Sequence, residues 1–278
     1  MKLKDQIKMP ITRSLTYFFT TALLSVSSCD SYADGLADLN NSLVRLDGSS
    51  AISATLKSVF TENRGRKKKI KTTTGSTYVQ LLENLNGLQI TYSDEMLTQL
   101  NKEENEKERN EEVNTPTLNA IKNIEVSELR NMLSAASKLR RSLIKAQFLK
   151  EEAIIYKEQD ARILHFNLPL EAIISDKDVR SYVDDFEGMY KIIIDKKGVP
   201  LQAKITFEGS GSAYIFFKLS INQARTYFYK VIDDRLVNYR NEYTKQQKST
   251  WDKRDSSGFN ELIINEAYQA LTLKTNSE

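Results

Sequence analysis

The chain has 278 residues, with 40 Lys plus Arg against 37 Asp plus Glu, one His and one Cys. Residues 1–28 hold four of the cations and one of the acids, so the rest carries 36 of each and lacks the basic excess that a nucleic-acid binder keeps in its folded part. A single Cys allows no intramolecular disulfide, and one His with one Cys excludes the His/Cys-rich zinc sites; a carboxylate-only calcium or magnesium site stays open, but no Asp-rich loop of EF-hand spacing is present, and no cofactor is expected.

The N-terminus comes first. Lys2, Lys4, Lys8 and Arg13, with Asp5, precede fifteen uncharged residues from Ser14 to Ser28. Crossing a hydrocarbon core takes about 20 apolar residues, so this stretch has instead the length of a signal-peptide core behind a basic segment. Val26-Ser27-Ser28-Cys29 resembles the bacterial lipobox, in which the Cys becomes the lipidated first residue. Ser31-Tyr32-Ala33 offers a second cleavage site, which would release a soluble protein, and retention as an anchor is the third outcome. The expectation is a signal peptide over 1–28, lipidation of Cys29, and an address on the periplasmic side of the bacterial envelope, the alternative being a soluble periplasmic protein. No later run of 18 apolar residues exists, so nothing further along should span a membrane.

From Ala51 the sequence alternates as a strand, with Ile52, Ala54, Leu56 and Ser58 on one side. A basic turn, "RGRKKKIK", follows. Its Arg64, Arg66, Lys67, Lys68, Lys69 and Lys71 read as a solvated hairpin tip or as a contact for anionic lipid head groups. Residues 74–93 read as two strands joined at Asn84 to Gly87, because Asn-Gly between apolar runs is a hairpin signal. Asp94 is placed to cap a short helix over "EMLTQL". Residues 101–115 are charged and lack aromatics, which predicts a mobile loop or frayed helix end, closed by Pro116. One amphipathic helix is expected over 127–146, with Leu129, Met132, Leu133, Ala136, Leu139 and Leu143 on one face.

The C-terminal half reads as β. "EEAIIYKEQDARILHFNL" predicts a hairpin turning near Gln159-Asp160, and a short helix is expected from Asp176 to Val183. A second hairpin turns at Asp195 to Gly198. Its return strand alternates, with Val199, Leu201, Ala203, Ile205 and Phe207 facing inward and Gln202 and Lys204 outward. "SAYIFFKLSI", "ARTYFYKVI" and "RLVNYRNEYTK" continue the meander. Ala213, Ile215, Phe217, Leu219 and Ile221 are expected on the core face. Residues 34–250 thus form one domain, and 251–278 a C-terminal segment with a final strand. The fold class expected is α+β, mostly β: a long twisted antiparallel sheet of half-barrel type covered by a few helices.

Catalytic groups are sparse. His165 is the one possible imidazole base, sits mid-strand and reads as a partly exposed structural residue. The pairs Asp184-Asp185 and Asp233-Asp234 fall at element ends, where acids cap and turn. No phosphate-binding loop, dinucleotide fingerprint or HExxH is present. The rings at Tyr214, Phe216, Phe217, Tyr227, Phe228 and Tyr229 pack a core or line a cavity for an apolar ligand.

The stretches Tyr190 to Leu201 ("YKIIIDKKGVPL") and Val231 to Val237 ("VIDDRLV") resemble a family of uncharacterised secreted bacterial proteins. The helix at 127–146 and the hairpin begun by Phe148 to Ala161 sit where that family has a helix and a hairpin. The Asp-x-x-Gly-x-Pro turn at Asp195 to Pro200 also resembles the lipoprotein-sorting carriers and their periplasmic sensor relatives. That resemblance implies a half-barrel of long antiparallel strands closed by helices, with an apolar cavity that takes acyl chains. The function expected is a non-enzymatic envelope lipoprotein that binds an acyl chain or a partner's hydrophobic segment, with Leu133, Leu139, Leu201, Ile205, Phe207, Ile215 and Phe217 on the cavity face. Its partners would be membrane lipid, through the anchor, and a hydrophobic ligand or envelope protein. The alternative is an assembly factor that holds protein partners without a ligand cavity.

Overall fold

A computed structural model describes residues 34–66, 69–174, 176–213 and 217–265. Cys29, Lys67, Lys68 and Ile215 lie outside the described residues, as do the side chains of Arg66 and Phe217. The fold is α+β. One open sheet of ten antiparallel strands carries a few helices.

Ten strands follow in chain order: β1 (Ile52–Arg66), β2 (Lys69–Asn84), β3 (Gly87–Thr91), β4 (Gln147–Tyr156), β5 (Gln159–Asn167), β6 (Val183–Asp195), β7 (Pro200–Ala213), β8 (Phe217–Ile232), β9 (Arg235–Ser249) and β10 (Lys253–Ile264). Their spatial order is β3-β2-β1-β10-β9-β8-β7-β6-β5-β4. Two meanders therefore meet where β10 pairs with β1, Leu56 lying opposite Leu262. The sheet continues past residue 250, and β10 lies between β1 and β9 in its interior. Short linkers dictate the neighbouring pairs, because two-residue turns join antiparallel strands. At the β6–β7 turn Asp195 Oδ1 accepts from Lys197 N and Val199 N, both at 2.8 Å. Gly198 completes that turn at φ +80°, where a Cβ would collide with the backbone of Asp38.

Seven helices occur among the described residues: α1 (Gly35–Arg45), α2 (Asp94–Arg109), α3 (Pro116–Lys122), α4 (Val126–Leu133), α5 (Ala135–Ile144), α6 (Leu170–Ile173) and α7 (Lys177–Arg180). Helix α1, which the sequence reading passed over, begins at the N-cap Asp34 and buries Leu39 and Leu43. The Glu151 carboxylate accepts from Gly35 N at 2.9 Å, so a negative group also meets the positive end of α1.

Several expectations need correction. Ser93, rather than Asp94, caps α2, its hydroxyl accepting from Met96 N at 3.2 Å. The helix then runs sixteen residues, through most of the stretch expected to be a loop. The reason is Glu103, 2% exposed, which holds the start of α3. Its carboxylate accepts from Thr117 N at 3.2 Å and from Leu118 N at 2.9 Å. Thr115 makes no side-chain cap there and Pro116 occupies the first turn, so Glu103 supplies the missing acceptor from another helix.

The single helix expected over 127–146 is two. It breaks at Ser134, whose hydroxyl accepts from the buried guanidinium of Arg235. The break divides the apolar stripe between two cores. Leu129, Met132 and Leu133 of α4 join Ile52, Leu56, Val79, Leu81 and Leu262. Ala135, Ala136 and Leu139 of α5 join Leu164, Phe166, Tyr190, Ile192 and Ala203. Strand β9 spans both, with Leu236 in one cluster and Val237 in the other. Leu133 therefore packs away from β7, contrary to expectation, while Leu139 packs toward it.

The first hairpin of the C-terminal half turns at Lys157 and Glu158, both at positive φ, two residues before the expected place. The stretch 213–221 is not one strand. Ala213 pairs with Phe217, so Ala213 lies on one arm of a hairpin and Phe217, Leu219 and Ile221 on the other. Asp176 caps α7, as its position suggests, but Val183 already starts β6.

Candidate functional site

On β7, Ala203 is fully buried and Lys204 is exposed, so the inward parity falls on 203, 205 and 207. Val199 and Ile205 pack on the same core. Gln202 points the other way and accepts from the Tyr156 hydroxyl at 2.9 Å. Leu201 is half-buried at a bulge, where Pro200 pairs with Ile194 and Gln202 with Ile193.

Pairing carries this inward row across the sheet. Phe166 lies opposite Tyr190, Tyr190 opposite Ile205, Ile205 opposite Arg225, and Arg225 opposite Tyr243. Helices α4 and α5 lie over part of that row without filling the space beneath them. A cavity of about 570 Å³ remains. Its floor includes Tyr190, Ile205, Tyr227 and Tyr229, and its roof includes Met132, Ala135 and Leu139. Four cationic side chains also line it: the exposed Lys138 and Arg141 of α5, the exposed Lys145 at its C-cap, and Arg225 on β8. One carboxylate, Glu128, faces them.

Burial pushes the phenol pKa values of Tyr190, Tyr227 and Tyr229 up, so all three remain protonated donors. Burial opposes the charge on Arg225, but the Tyr227 hydroxyl and the Glu128 carboxylate outweigh it, and Arg225 stays cationic. The Arg225–Glu128 separation is 4.0 Å, and Glu128 Oε1 also accepts from Asn241 at 3.2 Å. Arg225 Nε is enclosed without a hydrogen-bond partner among the described residues.

A second cavity, of about 270 Å³, adjoins the first, and Ile173 lines both. Its floor includes Phe186, Phe207, Leu219 and Ile221, and its roof includes Leu170, Ile174 and Val179 from the α6–α7 region. Gly209 and Gly211 leave room on the floor. A Cβ at Gly211 would collide with the Tyr182 carbonyl oxygen, so glycine lets the α7–β6 segment close over the sheet.

The sequence reading thus placed Ile205 and Phe207 where they line cavities, and Leu139 with them. It missed Arg225, Tyr190 and the α6 residues. Alternation could have found Arg225, since it shares the parity of Tyr227 and Tyr229.

The basic hairpin lies apart from these cavities. Arg64 is opposite Lys71, and Arg66 opposite Lys69. Arg64 Nε donates to Asp252 at 2.7 Å, so one of its charges is already paired. His165 is 8% exposed, more enclosed than expected. Its neighbours Leu164 and Phe166 face the helices, so the imidazole points to the opposite face, where Nε2 is 3.7 Å from Glu152. Burial lowers its pKa. Asp234 accepts from the Ser50 hydroxyl and from Ser49 and Ser50 N, which ties down the loop after α1. Asp184 accepts from the Ser212 hydroxyl at 2.8 Å. Among the described residues no cluster of His, Cys, Asp and Glu is arranged to hold a metal ion, and no helix is long and apolar enough to cross a membrane.

No protein-family model, curated protein or solved structure matches this chain.

Proposed function

We propose that this protein is a non-enzymatic binding protein of the bacterial envelope that takes an acyl chain, or the hydrophobic segment of a partner, into the space between its sheet and helices α4 to α7. The observation that carries this reading is the cavity of about 570 Å³ under α4 and α5, beside an apolar compartment of about 270 Å³ that shares Ile173 with it. Small-molecule sites are typically concave, of about 300–1,000 Å³, with mostly apolar walls and a few placed polar groups. The address rests on the sequence from Ser14 to Gly35, with its uncharged core and Cys29.

Native mass spectrometry of the full chain expressed in a bacterial host tests both parts. The expected mature form begins at a lipid-modified Cys29 and carries an additional noncovalent alkyl-chain amphiphile. A mature chain beginning at Asp34 would replace the anchored form with the soluble one. A chain of bare mass that takes up no alkyl ligand would remove the binding reading.

A second reading, an assembly factor without a ligand, draws on the edge strand β4. Among the described residues it has a strand neighbour on one side alone, and it exposes Leu149 at 54% and Ile155 at 69%. Strand addition at that edge would leave the cavities empty, which the same spectrum distinguishes.

A further inference from the structure

We propose that the two compartments are one site for a single-chain amphiphile with an anionic head: the chain lies in the smaller, apolar compartment and the head in the larger, against Arg225 and the cations of α5. The inference rests on the ligand-binding reading above and adds the chemistry of the ligand.

Continuity is the first argument. Ile205 and Phe207 are successive inward residues of β7, about 7 Å apart along the strand. Ile205 lines the larger compartment and Phe207 the smaller. Ile173 lines both from above. A straight chain of that length spans from one residue to the other along the strand, beneath Ile173.

Asymmetry is the second. The walls of the smaller compartment are Leu, Ile, Val and aromatic side chains, with Gly and Ser from β7. The larger has four cations and one carboxylate. An uncharged ligand would leave that imbalance unanswered, and a quaternary ammonium would meet like charge.

The third argument is Arg225 itself. Its Nε is enclosed and unpartnered. Its distance of 4.0 Å to Glu128 exceeds the 2.7–2.9 Å or so of a charge-assisted hydrogen bond, so that carboxylate does not satisfy the guanidinium. Arg225 lines the cavity with 36% of its side chain exposed, and a guanidinium that its one carboxylate does not satisfy is suited to the oxygens of a carboxylate or phosphate. Tyr227, beside it, remains a protonated donor.

The test uses the processed full chain and a fluorescent fatty acid, cis-parinaric acid, displaced by palmitate, hexadecyl phosphate, hexadecanol, hexadecyltrimethylammonium or inorganic phosphate. Palmitate and hexadecyl phosphate are expected to displace it about tenfold more tightly than the neutral and cationic chains, the increment of one charged hydrogen bond. Which anion binds more tightly identifies the head as carboxylate or phosphate. In Arg225→Gln, and in a variant with Lys138, Arg141 and Lys145 all changed to Gln, the palmitate-to-hexadecanol ratio is expected to fall toward one. The α5 variant alters exposed positions only, which keeps the test available if Arg225→Gln misfolds. Equal binding of all four hexadecyl ligands would overturn the head-group inference and leave the alkyl-binding reading standing. A preference that survives in both variants, or displacement by inorganic phosphate alone, would also overturn it. If no ligand displaces the probe, the alkyl-binding reading fails as well.

Discussion

Ile205 and Phe207 share one face of β7, yet they border different cavities, one tyrosine-lined with a basic rim and one apolar. The boundary between a polar and an apolar environment thus falls within two residues of one strand. That relationship underlies the functional account, and it makes Phe207 the more informative position to change. Phe207 is half-buried, and its ring centroid is 6.2 Å from that of Phe186.

Phe207→Ala should cost less than the 3–5 kcal/mol or so of a tightly packed phenylalanine, because part of the ring faces empty space. Phe207→Trp should stay folded and weaken long-chain binding about tenfold or more by occupying the compartment. Urea titrations and alkyl-ligand affinities check the two statements. A cost of about 4 kcal/mol for the alanine variant would mean the compartment is closed in solution.

Glu103 governs a pH effect. Burial pushes its pKa up, but the N–H of Leu118, the Gln99 amide and the Thr117 groups together outweigh this, and the pKa lies below its ordinary value. The folded value is below the unfolded one of about 4.3, so the contribution is complete above that pH and is lost as pH falls through the folded value. Glu103→Ala should cost about 1–3 kcal/mol at neutral pH by uncapping α3. Glu103→Gln should flatten the acid side of the stability profile, followed by thermal melts. An unchanged acid limb would contradict the capping role.

Arg235 is 3% exposed and donates to the Ser50 carbonyl oxygen at 2.8 Å, to Glu83 and to Ser134. It joins the loop after α1, the end of β2 and the break between α4 and α5. Arg235→Ala should cost about 3 kcal/mol or more, since it leaves the partly buried Glu83 without its cation. Equilibrium denaturation reads this directly, and a cost under about 1 kcal/mol would show that the break holds without the guanidinium.

At the basic hairpin, changing Lys67, Lys68 and Lys69 to Gln should weaken binding to anionic vesicles, most at low salt. Arg64→Gln should do less, because Arg64 is already paired with Asp252. Vesicle co-sedimentation checks the order. Equal binding by wild type and the triple variant would leave the hairpin a solvated tip.

Much of the sheet was legible because it rests on local rules. Alternation exposed β1 through Ile52, Ala54 and Leu56 and β7 through Ala203 and Ile205, and the Asn84–Gly87 and Asp195–Gly198 turns carry their own chemistry. What failed depends on contacts distant in sequence. Glu103 reads as part of a solvated charge run until α3 is placed beside it. Ser134 is neither Gly nor Pro, and the break there follows from Arg235, 101 residues away. The pairing of β10 with β1 has no short linker to announce it. Helix α1 is different: Leu36, Leu39 and Leu43 at helical spacing after Asp34 carried a readable signal. The cavities were the least legible, because an inward side chain looks the same in sequence whether it meets another side chain or empty space.

Binding of the proposed kind places an alkyl chain in the compartment beside Phe207. The most direct measurement is the affinity of the processed full chain for straight-chain carboxylates from octanoate to stearate. If the chain is buried, each added methylene should tighten binding about fourfold, roughly 0.8 kcal/mol, until the compartment is full and the series levels off. A series with no dependence on chain length, or no saturable binding of any member, would contradict it.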